Sequence, residues 1–216
     1  MIDGHILFID GEAIVFDKPA GLAVDRPRDG SHSVEAMLDE LTFGFQRPPK
    51  LVHRIDRDTS GCLLLSRNPK AHKRFHQAFE EGQVTKRYLA ILDGVPQEDS
   101  GLIDLALSKT SSEANGWRMR GDPKGKAART RWKVIERQPH RALVAFYPET
   151  GRTHQIRVHA AEGLGIPIMG DPVYGAGGPH MMLHAASLTV PRPGKPDVTA
   201  DAPWPERFGE AGFNRG

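Results

Sequence analysis

Strand-like runs follow one another along most of this chain, with few helices between them, and that pattern admits few architectures. HILFIDGEAIVFDKPAG (5–21) reads as two strands about an Asp-Gly turn, closed by Pro19, Ala20 and Gly21. CLLLSR (62–67) reads as a buried strand. TKRYLAIL (85–92) alternates, so Lys86, Tyr88 and Ala90 share one face and Arg87, Leu89 and Ile91 the other. GLIDLALS (101–108), ARTRWKVIER (128–137) and RALVAFYPET (141–150) are further strands. Three stretches read as helix. SVEAMLDELTFGF (33–45) has Ser33 as its N-cap. NPKAHKRFHQAFEEG (68–82) has Asn68 as cap, Pro69 at its first position, Gly82 as stop and an apolar stripe of Ala71, Phe75, Ala78 and Phe79. GRTHQIRVHAAEG (151–163) has Thr153 to cap it and Gly163 to stop it. SSEANGWRMRGDPKGKAA (111–128) reads as a loop, and the proline-rich tail from Pro191 as a surface wrap. Together these predict an α+β chain with a mixed, largely antiparallel sheet, in a single domain over 1–216.

A chain of 216 residues buries roughly 70% of its unfolded surface, enough for a core without covalent staples. The lone cysteine, Cys62, excludes a disulfide framework and fits a reducing compartment. No apolar run approaches the ~20 residues that span a bilayer. The acidic start of the chain does not read as a secretory signal, so the cytoplasm is the expected location. Charge is uneven. Residues 118–137 hold Arg118, Arg120, Lys124, Lys126, Arg129, Arg131, Lys133 and Arg137 against Asp122 and Glu136. Such a segment suits a polyanionic partner, and equally a solvated basic loop.

HRIDRDTSG (53–61) crowds titratable groups directly ahead of the buried strand. A loop held by a buried strand is a usual place for chemistry. Asp56 in it admits three readings. DRDT resembles the D-x-D-x-T loop of metal-dependent phosphatases but misses by one residue, because Thr59 directly follows Asp58. A metal site would need clustered ligands. His154 and His159 lie about 140° apart on a helix, and neither Cys-x-x-Cys nor His-Glu-x-x-His occurs. The third reading is a carboxylate nucleophile acting on a flipped nucleotide, with an arginine to hold it ionised, an aromatic ring for the base and basic surface for the backbone.

HRIDRDTSG resembles the catalytic motif of the RluA family of pseudouridine synthases. DKPAGL (17–22), KRYLAIL (86–92), KAARTRWKVI (126–135), TGRTHQIRVH (150–159), GDPVYG (170–175) and LHAASLTVPRP (183–193) resemble that family's other blocks, in its order. Ile55 stands where Leu is more usual, a volume-conserving exchange. The resemblance implies the pseudouridine synthase fold, a bent sheet flanked by helices and loops around a central catalytic cleft. It also implies the short form, without the N-terminal RNA-binding domain of many members.

It further implies isomerisation of uridine to pseudouridine in a structured tRNA or rRNA stem-loop, with no cofactor or metal; a monomer is the default expectation. Carried across, Asp56 is the nucleophile, Arg152 its basic partner and Tyr88 the active-site tyrosine. Arg54 fills the space that the flipped base leaves, and Leu183 packs against the base. His53 orients the loop or meets a phosphate, and Arg129 and Arg131 meet the RNA backbone. Without that resemblance, Arg152 reads as a surface arginine, Tyr88 as a sheet-face tyrosine and Leu183 as ordinary core. The basic segment 118–137, with Trp117 beside it, would lie along the RNA backbone, whereas Trp132, in an alternating strand, reads as core rather than as an RNA contact. An inactive RNA-binding protein on the same scaffold is the alternative function, and a metal-dependent phosphohydrolase the more remote one.

Overall fold

The computed structural model describes residues 5–27, 29–112 and 116–214. The chain forms two compact units, one of residues 1–86 and 185–203, the other of residues 87–184 and 204–216.

In the first unit, β1 (Ile6–Ile9) and β2 (Ala13–Lys18) form the expected antiparallel hairpin. Asp10 makes its turn by accepting the backbone N–H groups of Glu12 at 2.8 Å and Ala13 at 2.9 Å. β3 (Lys50–Leu51) and β2 both pair antiparallel with β4 (Ser60–Ser66), every residue of which is buried. The sequence-predicted helix at 33–45 is instead a short 3-10 helix, Glu35–Leu41. Ser33 does accept the Ala36 N–H at 3.2 Å. However, the N–H groups of Val34 and Glu35 go to the carbonyls of Ala23 and Val24. Leu41 is the one residue the helix buries, so no apolar face sustains a longer α-helix. α1 (Pro69–Glu80) matches its expectation closely. Asn68 accepts the Ala71 N–H at 2.9 Å, and Phe75 is fully buried beside Ala71 and Ala78. Gly82, at φ 69°, ends it in the left-handed conformation that glycine adopts most readily.

The second unit carries β5 (Thr85–Leu92, whose first two residues belong to the other unit), β6 (Ser100–Asp104), β9 (Arg129–Arg137) and β10 (Ala142–Pro148). They run in the order β5-β10-β9-β6, each antiparallel to its neighbour. The register sets Tyr88 opposite Phe146, Phe146 opposite Trp132 and Trp132 opposite Gly101, so these four share one face. Trp132 is core, as expected, with 7% exposure. A Cβ on Gly101 would come within 2.9 Å of its indole nitrogen.

Three expectations need correction. GLIDLALS is split between β6 and β7 (Leu107–Ser112). The supposed loop after it is the other half of a hairpin, β8 (Gly116–Gly121), antiparallel to β7. Leu107 and Met119 hold that hairpin by packing with Ala128 and Val158. Thr153 does not cap α2 (Gln155–Val158), which runs on into a π-helical turn, His159–Gly163. The preceding His154 is left-handed, at φ 52°, and Gln155 bonds back to the turn instead. The tail is also not a mere wrap. β11 (Leu183–Val190) pairs with β12 (Val198–Asp201), and Phe208 within α3 (Glu206–Glu210) and Phe213 beyond it are both fully buried.

Candidate active site

Val52–Thr59 lie between β3 and β4, and the first unit fixes this loop through its backbone. Val52 donates to Leu64 O at 3.2 Å, and Thr59 donates to Asp56 O at 3.1 Å. Val52 and Ile55 are buried beneath it. At its turn, the carbonyl of Arg57 accepts both the Gly21 N–H at 2.9 Å and the Lys18 ammonium at 2.8 Å. Lys18 is fully buried, and its Nζ also donates to Pro19 O at 2.8 Å and Leu22 O at 2.7 Å. A buried ammonium is costly unless its donors are met. Here three carbonyls meet them and tie the DKPAGL turn to the residue after Asp56. Gly61, the second residue of β4, has φ 104°, and a Cβ there would lie 2.2 Å from the Ala185 carbonyl oxygen. Only glycine allows β11 so close to the end of the loop.

His53 faces inward. Its Nε2 accepts the Leu64 N–H at 3.0 Å, and its ring stacks on Phe79 of α1 at 4.6 Å. That acceptor role requires an unprotonated Nε2. Burial, and then the Lys86 ammonium, push the His53 pKa down to about 3; burial pushes Lys86 itself down to about 8. Arg54 points the other way. Its side chain is 72% exposed and pairs with Asp25 at 2.5 Å. Asp56, partly buried, lies between the buried Ile55 and the exposed Arg57, which pairs with its neighbour Asp58.

In the second unit, Tyr88 is partly buried on the sheet face it shares with Phe146 and Trp132. Arg152 is exposed, and its Nε donates to Ala127 O at 3.0 Å. Its backbone is held by a residue that sequence reading missed as a site component. Gln155, 4% exposed, accepts from the Arg152 N–H at 2.9 Å and the Thr150 hydroxyl at 2.7 Å. Its amide donates to Arg129 O at 3.0 Å and Thr130 Oγ1 at 2.9 Å. Thr130 in turn meets His159 Nδ1 at 2.9 Å, and His159 Nε2 meets Leu105 O at 3.0 Å. Because a carbonyl only accepts, Nε2 carries the proton, and the Thr130 hydroxyl is able to donate to Nδ1, an arrangement that suits a neutral His159. Burial lowers its pKa in agreement.

The segment is braced a second time by a buried bidentate pair. Arg157 donates to Asp171 at 2.7 and 2.8 Å, and Asp171 also accepts the N–H groups of Val173 and Tyr174. Burial alone would raise the Asp171 pKa; the Arg157 bonds and charge, with the two N–H groups, hold it below the usual carboxylate range.

Leu183 is buried, and its carbonyl accepts from Arg207 at 3.1 Å. Arg129 and Arg131 alternate onto the face opposite Tyr88, and both pair with Glu149, Arg131 at 2.7 Å and Arg129 at 3.6 Å. The structure thus groups His53, Arg54 and Asp56 on one fixed loop, and holds Arg152 in the turn before α2. Among the described residues, no group of three or more His, Cys, Asp or Glu could hold a metal ion. No helix among them is long and apolar enough to cross a membrane.

His53 and His159 make stability depend on pH. Each binds its proton more weakly folded than unfolded, so stability is full above about pH 6.5, the ordinary histidine value, and falls as pH drops below it. Urea midpoints should decline from pH 7.5 to pH 5, and His53→Gln should flatten that slope. A midpoint constant over this range would contradict the neutral acceptor role of His53.

A family described as RNA pseudouridylate synthase matches residues 12–162. An uncharacterized RNA pseudouridine synthase of Zymomonas mobilis is 57% identical over 213 residues, covering 97% of each chain. Ribosomal large subunit pseudouridine synthase C of Rickettsia bellii is 35% identical, over 94% of this chain and 69% of its own length. Among solved structures, human RNA pseudouridylate synthase domain containing 4 superposes with a TM-score of 0.82 at 25% identity, covering 97% of this chain and 92% of that one.

Proposed function

Because the chain belongs to the RNA pseudouridylate synthase family, we propose that its isomerase activity falls on specific uridines in stem-loops of tRNA, rRNA or both, with Asp56 as nucleophile and the target base flipped out. Pseudouridine formation breaks the N-glycosidic bond, turns the uracil and joins its C5 to the sugar. A proton leaves C5 and N1 gains one. No group is added or lost and no electrons are exchanged, so the net reaction needs no cofactor.

Each residue has a stated task. Asp56 forms the covalent link to the uridine. Arg152 keeps that carboxylate charged once the bound base has dried its surroundings. Tyr88 stacks on the uracil and helps to move the proton, and Leu183 packs against the base. Unstacking a uridine costs a few kcal/mol, and the planar guanidinium of Arg54 offsets this by stacking where the base was. His53 holds the loop, and Arg129 and Arg131 exchange Glu149 for RNA phosphates. The protein acts as a monomer in the cytoplasm.

The observation that carries this reading is the contrast within one loop. The backbone around Asp56 is fastened by Lys18, Gly21 and Leu64, while the neighbouring Arg54 is tied only by an exposed ion pair among the contacts described. A rigidly presented carboxylate beside a releasable planar cation suits attack on an extruded base. The Rickettsia relative's name specifies the ribosomal large subunit, and a tRNA anticodon stem-loop offers the same kind of short unpaired loop. Mapping pseudouridines in tRNA and rRNA of a deletion strain tests the target. One or a few loop uridines should lose the modification and regain it with the wild-type gene, but not with Asp56→Ala. A complete map with no lost position contradicts the proposal.

A further inference from the structure

The β7–β8 hairpin presents an aromatic ring that its own packing does not use up. Leu107 and Met119, on the inner face, are absorbed by the cluster with Ala128 and Val158. Trp117 lies on that same face, opposite Ser111, yet remains 50% exposed. It is nevertheless fixed. Its ring stacks on His154 with centroids 5.3 Å apart and planes 27° from parallel. His154 Nδ1 meets the Tyr174 hydroxyl at 2.9 Å, and that hydroxyl accepts the Met119 N–H at 3.0 Å. One hydroxyl thus ties the ring beneath Trp117 to the strand that carries Trp117. His154 holds this position in the left-handed conformation, which is strained for a residue with a Cβ and is often found at functional sites.

The surroundings say what such a ring would receive. The Lys109 ammonium lies 5.0 Å from the Trp117 ring centroid. Arg118 and Arg120 are exposed on the outer face of the same strand. From 107 to 126, Lys109, Arg118, Arg120, Lys124 and Lys126 stand against Glu113 and Asp122. Arg152 is two residues before His154. A protein-docking surface would set an exposed tryptophan among other apolar side chains; here its exposed hairpin neighbours are Lys109, Ser111 and Arg118, and the apolar Met119 on the same face is taken up by the cluster beneath. A rigid aromatic face ringed by cations is how proteins bind unpaired nucleotides, with the base on the ring and the phosphates on the cations.

We propose that Trp117 is a stacking platform for an unpaired base of the RNA substrate, and that it makes the protein prefer looped RNA over continuous duplex. This rests on the RNA-modifying reading above. A paired base offers no open face, so the platform discriminates by strandedness rather than by base identity.

The test uses the full chain and two probes: a 17-nucleotide RNA hairpin with a seven-nucleotide loop of mixed sequence, and a fully paired duplex of equal length. The hairpin should quench tryptophan emission of the wild type, and Trp117→Phe should lose most of that quenching, since Trp132 is buried and the partly buried Trp204 packs against Phe208. Trp117→Ala should bind the hairpin about 10-fold more weakly and the duplex unchanged. Trp117→Phe should bind within about threefold of wild type, because a phenyl ring also stacks. If Trp117→Ala does not fold, as judged by circular dichroism, the Trp117→Phe quenching and Kd decide alone. Wild-type binding of the hairpin without quenching, or an equal loss of hairpin and duplex affinity in Trp117→Ala, overturns the platform alone. Failure of the wild type to bind either RNA overturns the platform together with the reading beneath it.

Discussion

Asp56→Asn should fold, bind RNA within about threefold of wild type and make no measurable pseudouridine. Removing a nucleophile costs on the order of 10⁴-fold or more in turnover, because no other group supplies the covalent step. Affinity should survive, because cations and not carboxylates attract RNA phosphates. The loop also survives, since the groups that fasten it act on backbone atoms: Lys18 and Gly21 on the Arg57 carbonyl, and Thr59 on the Asp56 carbonyl. Single-turnover assays with excess enzyme separate this from weak binding. Activity within tenfold of wild type would remove Asp56 from the chemistry.

Asp171→Ala should be the most damaging single change to stability. The Arg157 side chain is 6% exposed and the Asp171 side chain fully buried. The substitution would strand a buried guanidinium and free the N–H groups of Val173 and Tyr174. Breaking a buried pair by deleting one partner costs about 3–5 kcal/mol. In a domain of this size that lowers Tm by roughly 6–20 °C. The double variant Arg157→Met/Asp171→Leu should recover part of the loss, because it leaves no charge unpaired. Thermal unfolding of the three variants checks this. Asp171→Ala with wild-type Tm would mean that water solvates Arg157 and that the pair does not brace the Arg152 segment.

The sequence was most legible where local chemistry and tertiary need agree. The Asp10 turn, the Asn68 cap and the Phe75 stripe are decided within a few residues, and the structure repeats them. The α+β, predominantly antiparallel pseudouridine synthase fold expected from the resemblance is the fold found. The β7–β8 hairpin was missed because glycines and cations dilute its alternation, and its apolar partners, Ala128 and Val158, come from elsewhere in the chain. The 151–163 helix was misjudged at its start, because Gln155 rather than Thr153 secures the turn. Among the proposed site residues, Asp56 and Arg54 are marked in the sequence by their place in one charged loop. Lys18 did not. In KPAG it reads as a turn cation, and its role exists only because the chain brings the Arg57 carbonyl to it from 39 residues away. Likewise the inward turn of His53 depends on Leu64 and Phe79, which the motif does not contain.

The central claim is that this chain converts uridine to pseudouridine in structured RNA through the Asp56 carboxylate. Mass-shift labelling of pseudouridine, after unmodified tRNA and rRNA transcripts are incubated with purified wild-type protein and with Asp56→Ala, tests it most directly. New labelled positions should appear in loop uridines with the wild type and none with the variant. RNA that is bound by both proteins but labelled by neither, or labelled equally by both, would contradict it.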